Sequence, residues 1–232
     1  MYETKKVGDW TLLASEKAGS FVKYAEHAEM GSQYYMNYNE RVFDRMICPT
    51  LSETLNGCRT AVDVGASYGF MTEGFSELFQ HVHSFELIAP VRDCLRENTK
   101  NQTNITIHDY GLSDHADKME PWFYPRYTGH CTLEEIPMAE KRKKLVSPVV
   151  PMDSVEMTGV DFIKIDVEGH ELKVLEGAKE TLSKHNPLVM VEILKNIPGS
   201  IVNAIAIGQF MAKQGYKLRL HHKEDFLFSK DV

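Results

Sequence analysis

Two acids and two glycines, close together in the chain, carry the first chemical signal. Asp63 stands two residues before Gly65 in "AVDVGASYGF" (Ala61 to Phe70), Gly69 follows four residues later, and Glu86 closes "HVHSFEL" 21 residues after Gly65. Glycines lack side chains, so a ligand can lie against the backbone N–H groups of such a loop. An acid about 20 residues further on is placed to accept both ribose hydroxyls of a nucleoside. The loop reads G-x-x-x-G rather than the G-x-G-x-x-G that admits a pyrophosphate, and an acid just ahead of it suits a cationic ligand. Asp63 has a plainer alternative role, capping the glycine loop through hydrogen bonds alone.

A second group of acids lies later in the chain. "VDFIKIDVEGHE" carries Asp166, Glu168 and His170, and "PLVMVEI" ends near Glu192. An aliphatic hydroxyl is a poor nucleophile while it keeps its proton, so a transfer to oxygen needs a base within hydrogen-bond reach. His170 is expected first in that role, because its unperturbed pKa lies near neutrality. Asp166 and Glu168 are expected to orient the acceptor or to hold a divalent metal such as Mg²⁺, with Glu192 as the remaining candidate. A metal stays open on this reading and none is assigned. The plainer alternatives are a half-buried core histidine and acids that favour a helix entry. His81 and His83 share one strand face, without a third ligand nearby to make a metal site.

The elements that must place these residues follow from the hydrophobic pattern. "TAVDVGA" reads as a short buried strand, followed by a helix with Met71, Phe75, Leu78 and Phe79 on one face. "HVHSFEL" is a strand ending in Glu86, "PVRDCLRENTK" a polar helix, and "NITIHDY" a strand ending in Asp109 and Tyr110. "VDFIKIDVEG" is a buried strand, followed by a helix bearing Leu172, Leu175 and Leu182, and then by the strand "PLVMVEI". Ser200 is expected to cap the helix "IVNAIAIGQFMAKQ" and Gly215 to stop it. "YKLRLHHKEDFLFS" reads as two strands joined by a tight polar turn. The sum is an α/β fold, an open and mostly parallel sheet with an antiparallel C-terminal hairpin. Ligands bind such sheets beyond the carboxyl ends of the strands, where these acids and glycines fall.

Residues 1–232 are expected to form a single domain without repeats or linkers. Residues 1–59 read as a helical or irregular cap, with one helix in "NERVFDRMICPTLSETL", and 60–232 as the core. Residues 113–152 are longer than a plain connection and read as a lid over the acceptor. That lid should hold one or two extra strands, such as "KLVSPVV", and Trp122, Tyr124, Tyr127 and His130 to stack on a ring.

Composition limits the function classes. Hydrophobic residues at 43% and charged residues at 25% of 232 are ordinary for a globular chain long enough to bury a core. A formal net charge of -7 argues against nucleic acid as a partner, and the basic run "EKRKKL" reads as a solvated face. Four cysteines without C-x-x-C spacing suit reduced thiols. The N-terminus is polar and no apolar run reaches the length of a membrane span. The expected location is the cytoplasm.

Among nucleoside ligands, S-adenosylmethionine fits the first signal best, with an ammonium and a sulfonium against one carboxylate. "DVGASYGF", "FELIAP", "YGLSD" and "DFIKIDVEGHELKVLEGA" followed by "PLVMVEI" closely resemble the motif set of the FkbM family of S-adenosylmethionine-dependent methyltransferases. The likeness runs from about Thr60 to Ile193, and "KIDVEGHE" is its most specific part. It implies a Rossmann-like class I methyltransferase sheet of seven strands and O-methylation of a hydroxyl on a small molecule or sugar. The cofactor residues expected are Asp63, Gly65, Ala66, Ser67, Tyr68, Gly69, Phe70, Glu86, Leu87, Asp109, Tyr110 and Asp166. An amino-directed enzyme would carry (N/D)-P-P-Y where this chain has D-V-E-G, and a cytosine-C5 enzyme needs a Pro-Cys that is absent. The rivals are a nicotinamide-dependent oxidoreductase and a non-catalytic nucleoside-binding module.

Overall fold

The computed structural model describes residues 2–7, 10–15, 24–25, 58–123, 143–193, 199–222 and 224–231. β1 (Tyr2–Val7) pairs antiparallel with β2 (Trp10–Ser15), and β2 with β3 (Tyr24–Ala25). A small separate sheet therefore occupies part of the stretch read as a helical or irregular cap. Neither YETKKV nor WTLLAS alternates apolar and polar residues, so no strand period shows in the sequence there. The helix expected in "NERVFDRMICPTLSETL" lies outside the described residues.

The core alternates as expected. β4 (Thr60–Val64) leads into α1 (Phe70–Leu78), β5 (His81–Phe85) into α2 (Ala89–Asn98), and β6 (Ile105–His108) follows. β7 (Gly111–Ser113), β8 (Asp117–Met119), β9 (Trp122–Phe123), β10 (Lys143–Lys144) and β11 (Ser147–Pro151) fall within or beside the expected lid. β7, β11 and β8 form a three-stranded sheet, and β9 pairs with β10. Tyr124, Tyr127 and His130 lie outside the described residues.

Beyond a 3₁₀ turn at Met152–Ser154, β12 (Val160–Ile165) precedes α3 (Glu171–Glu176) and α4 (Lys179–His185). Sequence periodicity joins these two helices into one, and the structure separates them at Gly177. An added Cβ on Gly177 would come within 2.0 Å of the Ser113 carbonyl, so the backbone must pass bare against β7. Asp153 then caps the second helix from a distance, accepting from the Glu180 and Thr181 N–H groups at 2.9 and 2.8 Å. β13 (Leu188–Glu192) is followed by α5 (Ser200–Lys213). Gly199 takes the cap position with φ 80, and Ser200, expected as the cap, is the first helical residue.

β14 (Lys217–His222) and β15 (Asp225–Ser229) complete a seven-stranded sheet of order β14-β15-β13-β12-β4-β5-β6. The last strand inserts antiparallel between β13 and β14, which leaves β14 at the edge. One face packs Val62, Val64, Ile163, Ile165, Val189 and Val191 against α3, α4 and α5. On the other, Phe75 of α1 meets Phe162 edge-on at 5.2 Å, beside Ala61, Val82 and Met190. Buried on both faces, β12 and β13 read as continuous apolar runs, which makes their polar members conspicuous. Among the described residues, no helix is long and apolar enough to cross a membrane.

Candidate active site

Strand register decides which polar residues meet. Ser84, Asp63, Lys164, Met190 and Leu227 lie side by side across five strands. Side chains repeat every second residue, so the next positions on the same face, at the strand ends, are Glu86, Gly65, Asp166, Glu192 and Asp225. Four acids and a glycine thus form one outer row, with Lys164 and Asp63 in the row beneath.

The left end of the row is a braced loop. Gly65, Ser67 and Gly69 all have positive φ, at 80, 50 and 91. An added Cβ would put Gly65 within 1.8 Å of the Asp166 carbonyl and Gly69 within 2.4 Å of Leu95, so both must be glycine. The Phe85 carbonyl accepts from Gly65 and Ala66 N–H, and the Glu86 Oε2 accepts from Ser67 N–H at 2.8 Å. Glu86 Oε1 accepts from Ile88 N–H at 2.8 Å. Glu86 is buried, and burial pushes its carboxyl up to about 7 against the pull of those two N–H groups. Each of its oxygens keeps a second lone pair for an outside donor.

The other residues expected around a nucleoside lie on the loop, at the start of α1 and just past the ends of β5 and β6. Ala66 and Tyr68 are buried and Phe70 half-buried at the start of α1; Asn98 donates to the Tyr68 carbonyl at 2.8 Å. The Leu87 carbonyl accepts from Ser147, which ties β11 to the site. Asp109 is exposed just past β6, and Tyr110 hydrogen-bonds His108 at 3.0 Å. His108 also lies 3.0 Å from His83, so a third histidine joins the pair seen in the sequence. Among the described residues, no group of three or more His, Cys, Asp or Glu could hold a metal ion.

Asp63 lies one row deeper than the ligand-facing position expected of it. It is 0% exposed, and its Oδ2 accepts from Thr72 at 2.6 Å. Its Oδ1 lies 3.6 Å from Lys164 Nζ and takes no hydrogen bond among the described residues. Burial raises its pKa, and Lys164 and Thr72 oppose that rise.

The right end collects charge. Lys164 Nζ donates to Asp166 Oδ2 at 3.1 Å. Burial, together with the nearby Asp166 carboxylate, holds the Glu192 carboxyl far above the usual range. Burial alone would lower the Lys164 pKa; Asp166 and Asp63, then Glu192, reverse this and raise it. Glu192 faces Asp225 across the β13–β15 ladder. Neither Lys164 nor Asp225 was among the expected site residues. A lysine inside a strand whose six residues are all buried is the sequence signal for the first.

The turn after β12 holds the rest of the motif. Glu168 and Gly169 have successive positive φ values of 55 and 105, which turns the chain sharply off the strand. Glu171, 1% exposed, braces it by accepting from Gly169 N–H at 2.7 Å and from Asn203 of α5 at 3.1 Å. Glu168 is half-buried on this turn. His170, expected beside Asp166 as the base, turns instead to Ser113 of β7, 3.0 Å from its Nε2. Burial lowers its pKa, and the charges it feels are Asp114, Lys173 and His115, none of them in the row. Asp166 thus has Lys164 and Glu192 beside it, while the hydrogen bond of His170 goes to Ser113.

A seven-stranded sheet of this order, with a glycine loop and acids along its carboxyl edge, is the Rossmann-like class I methyltransferase fold. Residues 63–218 match the model of the methyltransferase FkbM domain, and the chain belongs to that family. Family membership supports methyl transfer from S-adenosylmethionine. Among solved structures the chain is similar to the methyltransferase FkbM from Methylobacillus flagellatus KT, at 21% identity and a TM-score of 0.53, covering 77% of this chain and 45% of that one. This chain thus spans less than half the length of that protein. TYW2 from M. jannaschii, in complex with AdoMet, is similar at 15% identity and TM-score 0.53, covering 97% and 90%. SMU.1697c from Streptococcus mutans, in complex with SAH, is similar at 12% identity and TM-score 0.51, covering 80% and 94%. These three likenesses concern the fold. No curated protein matches the sequence.

Proposed function

We propose that this protein is an S-adenosylmethionine-dependent O-methyltransferase acting on a hydroxyl of a small molecule or sugar. The observation that carries this reading is the outer row, Glu86–Gly65–Asp166–Glu192–Asp225, on one sheet edge. The residues fit the cofactor. Glu86 keeps lone pairs for ribose hydroxyls, and the surplus of acids along this edge favours a cationic ligand. The chemistry the cofactor supplies when bound is an electrophilic methyl on a sulfonium.

Glu86 and the Gly65–Gly69 loop hold the nucleoside, with Asp109 and Tyr110 at the far side. Asp166 has 30% of its side chain exposed and faces the Lys164 ammonium at 3.1 Å, so it is assigned to accept the acceptor's hydroxyl proton. Glu192, holding a proton against Asp166, orients it. His170 is assigned to brace α3 against β7 rather than to act as base, because Ser113 engages its Nε2. Alignment of oxygen and methyl supplies most of the remaining rate gain. Residues 113–152 are assigned to cover the acceptor, an idea supported by the bond from Ser147 to Leu87 beside the loop.

Calorimetry with S-adenosylhomocysteine and with NAD tests the cofactor, and the expected result is binding of the first alone. Transfer of a tritiated methyl to a small-molecule extract then separates an enzyme from a binding module. Binding of NAD instead would replace this reading with the oxidoreductase.

A further inference from the structure

Lys164 is the anomaly of the sheet. It occupies the fifth position of a strand buried throughout, and only 7% of it is exposed. A buried ammonium is retained only where acids compensate its lost hydration. Two do so from opposite sides. Asp63, its register partner on β4, lies 3.6 Å away on the inner row, and Asp166, two residues along its own strand, lies 3.1 Å away on the outer row. Met190, its partner on β13, brings no charge, but Glu192 stands two residues beyond and Asp225 opposite that. From α1, Thr72 engages the Asp63 oxygen that Lys164 does not approach. Among the described residues of this cluster, Lys164 is the sole cation, and three carboxyl groups act on it: Asp63, Asp166 and Glu192.

We propose that Lys164 is a positioning residue for methyl transfer, a built-in counter-ion that fixes the Asp166 carboxylate at the mouth of the site in the state that takes a proton. The inference rests on the methyltransferase reading for its chemistry and on register and burial for its geometry. Without the ammonium, Asp166 and Glu192 would stand beside Asp63 with the positive charge at 3.1 Å from Asp166 removed. The pair would then retain protons, and Asp166 would no longer be a base near neutral pH. The competing explanation is that Lys164 serves only to neutralise buried Asp63. That role and the proposed one make different demands on a double variant.

Lys164→Met combined with Asp63→Asn removes both members of the inner pair and keeps an oxygen for Thr72, so the core stays charge-balanced. Carbon-13 NMR titration of the side-chain carboxyls, followed with S-adenosylhomocysteine present, reads Asp166 directly. The expected result is an Asp166 midpoint about one pH unit or more higher than in the wild type, roughly a tenfold loss of the ionised form. The rising limb of the methyl-transfer pH profile should move by the same amount, and Lys164→Arg should restore both. An Asp166 midpoint and pH profile unchanged in a folded double variant would overturn the proposal and leave Lys164 as the partner of Asp63 alone. If the wild type binds no S-adenosylhomocysteine, the functional reading fails by itself, while the titration of Asp166 still decides what Lys164 does.

Discussion

The two ends of the outer acidic row are built on opposite plans. At the left end, Glu86 is one acid whose two oxygens are each met by a backbone N–H at 2.8 Å, from Ser67 and from Ile88. Its bonds hold a loop in shape. At the right end, Asp166 and Glu192 are neighbouring acids, with Asp225 alongside and Lys164 beneath. Backbone donors do not titrate, so the left end holds a fixed geometry. Neighbouring carboxyls bias one another toward holding a proton, so the right end can take one up. The fold thus sets a holder and a proton acceptor on neighbouring strands of one edge.

The largest expected effect strikes the proton acceptor. Asp166→Asn should lower turnover by about a hundredfold or more while S-adenosylhomocysteine affinity stays within a few-fold. Rates and calorimetry on the same preparation check it. Near-normal turnover would move the base elsewhere and dissolve the contrast.

Glu86→Ala should do the reverse. Cofactor affinity should weaken by about 1–3 kcal/mol, with turnover at saturating cofactor much less affected. Wild-type affinity in that variant would remove Glu86 from the site.

The raised pKa of Glu86 sharpens the contrast through pH. Its carboxyl titrates near 7 in the folded protein against 4.5 ordinarily. Between those values the folded state binds the extra proton, so stability without ligand should fall as pH rises from 4.5 to 7 and level off above. Ribose hydroxyls donate best to the ionised form, so S-adenosylhomocysteine affinity should rise from pH 6 to 8 by up to about tenfold. Glu86→Gln should flatten both trends in calorimetry and thermal unfolding.

The smallest effect is expected at His170. Its hydrogen bond to Ser113 links α3 to β7, and losing one such bond costs about 1 kcal/mol. His170→Ala should therefore lower the melting temperature by a few degrees and preserve activity per folded molecule. A hundredfold loss of turnover at an unchanged melting temperature would return His170 to the role of base.

Much of this architecture was written locally. The glycine loop, the acid at ribose spacing and the apolar strands announce themselves because side chains on a strand repeat every second residue, and because two glycines so close after an apolar strand mark a loop that something approaches closely. Those rules need no knowledge of distant segments, and they suffice for the sheet, its hairpin and the strand-end acids. They fail at Gly177, whose need for a bare backbone comes from Ser113, 64 residues earlier. Nor do they show the partner of His170, because Ser113, whose hydroxyl meets its Nε2, lies 57 residues earlier in the chain. Lys164 shows the limit most plainly. Its presence in an apolar strand is visible in the chain, but its meaning depends on Asp63, 101 residues away, arriving opposite it on β4. Register between strands that far apart is set by the packing of the whole sheet, and a charge buried there is stable only once that packing has brought its partners within a few ångströms.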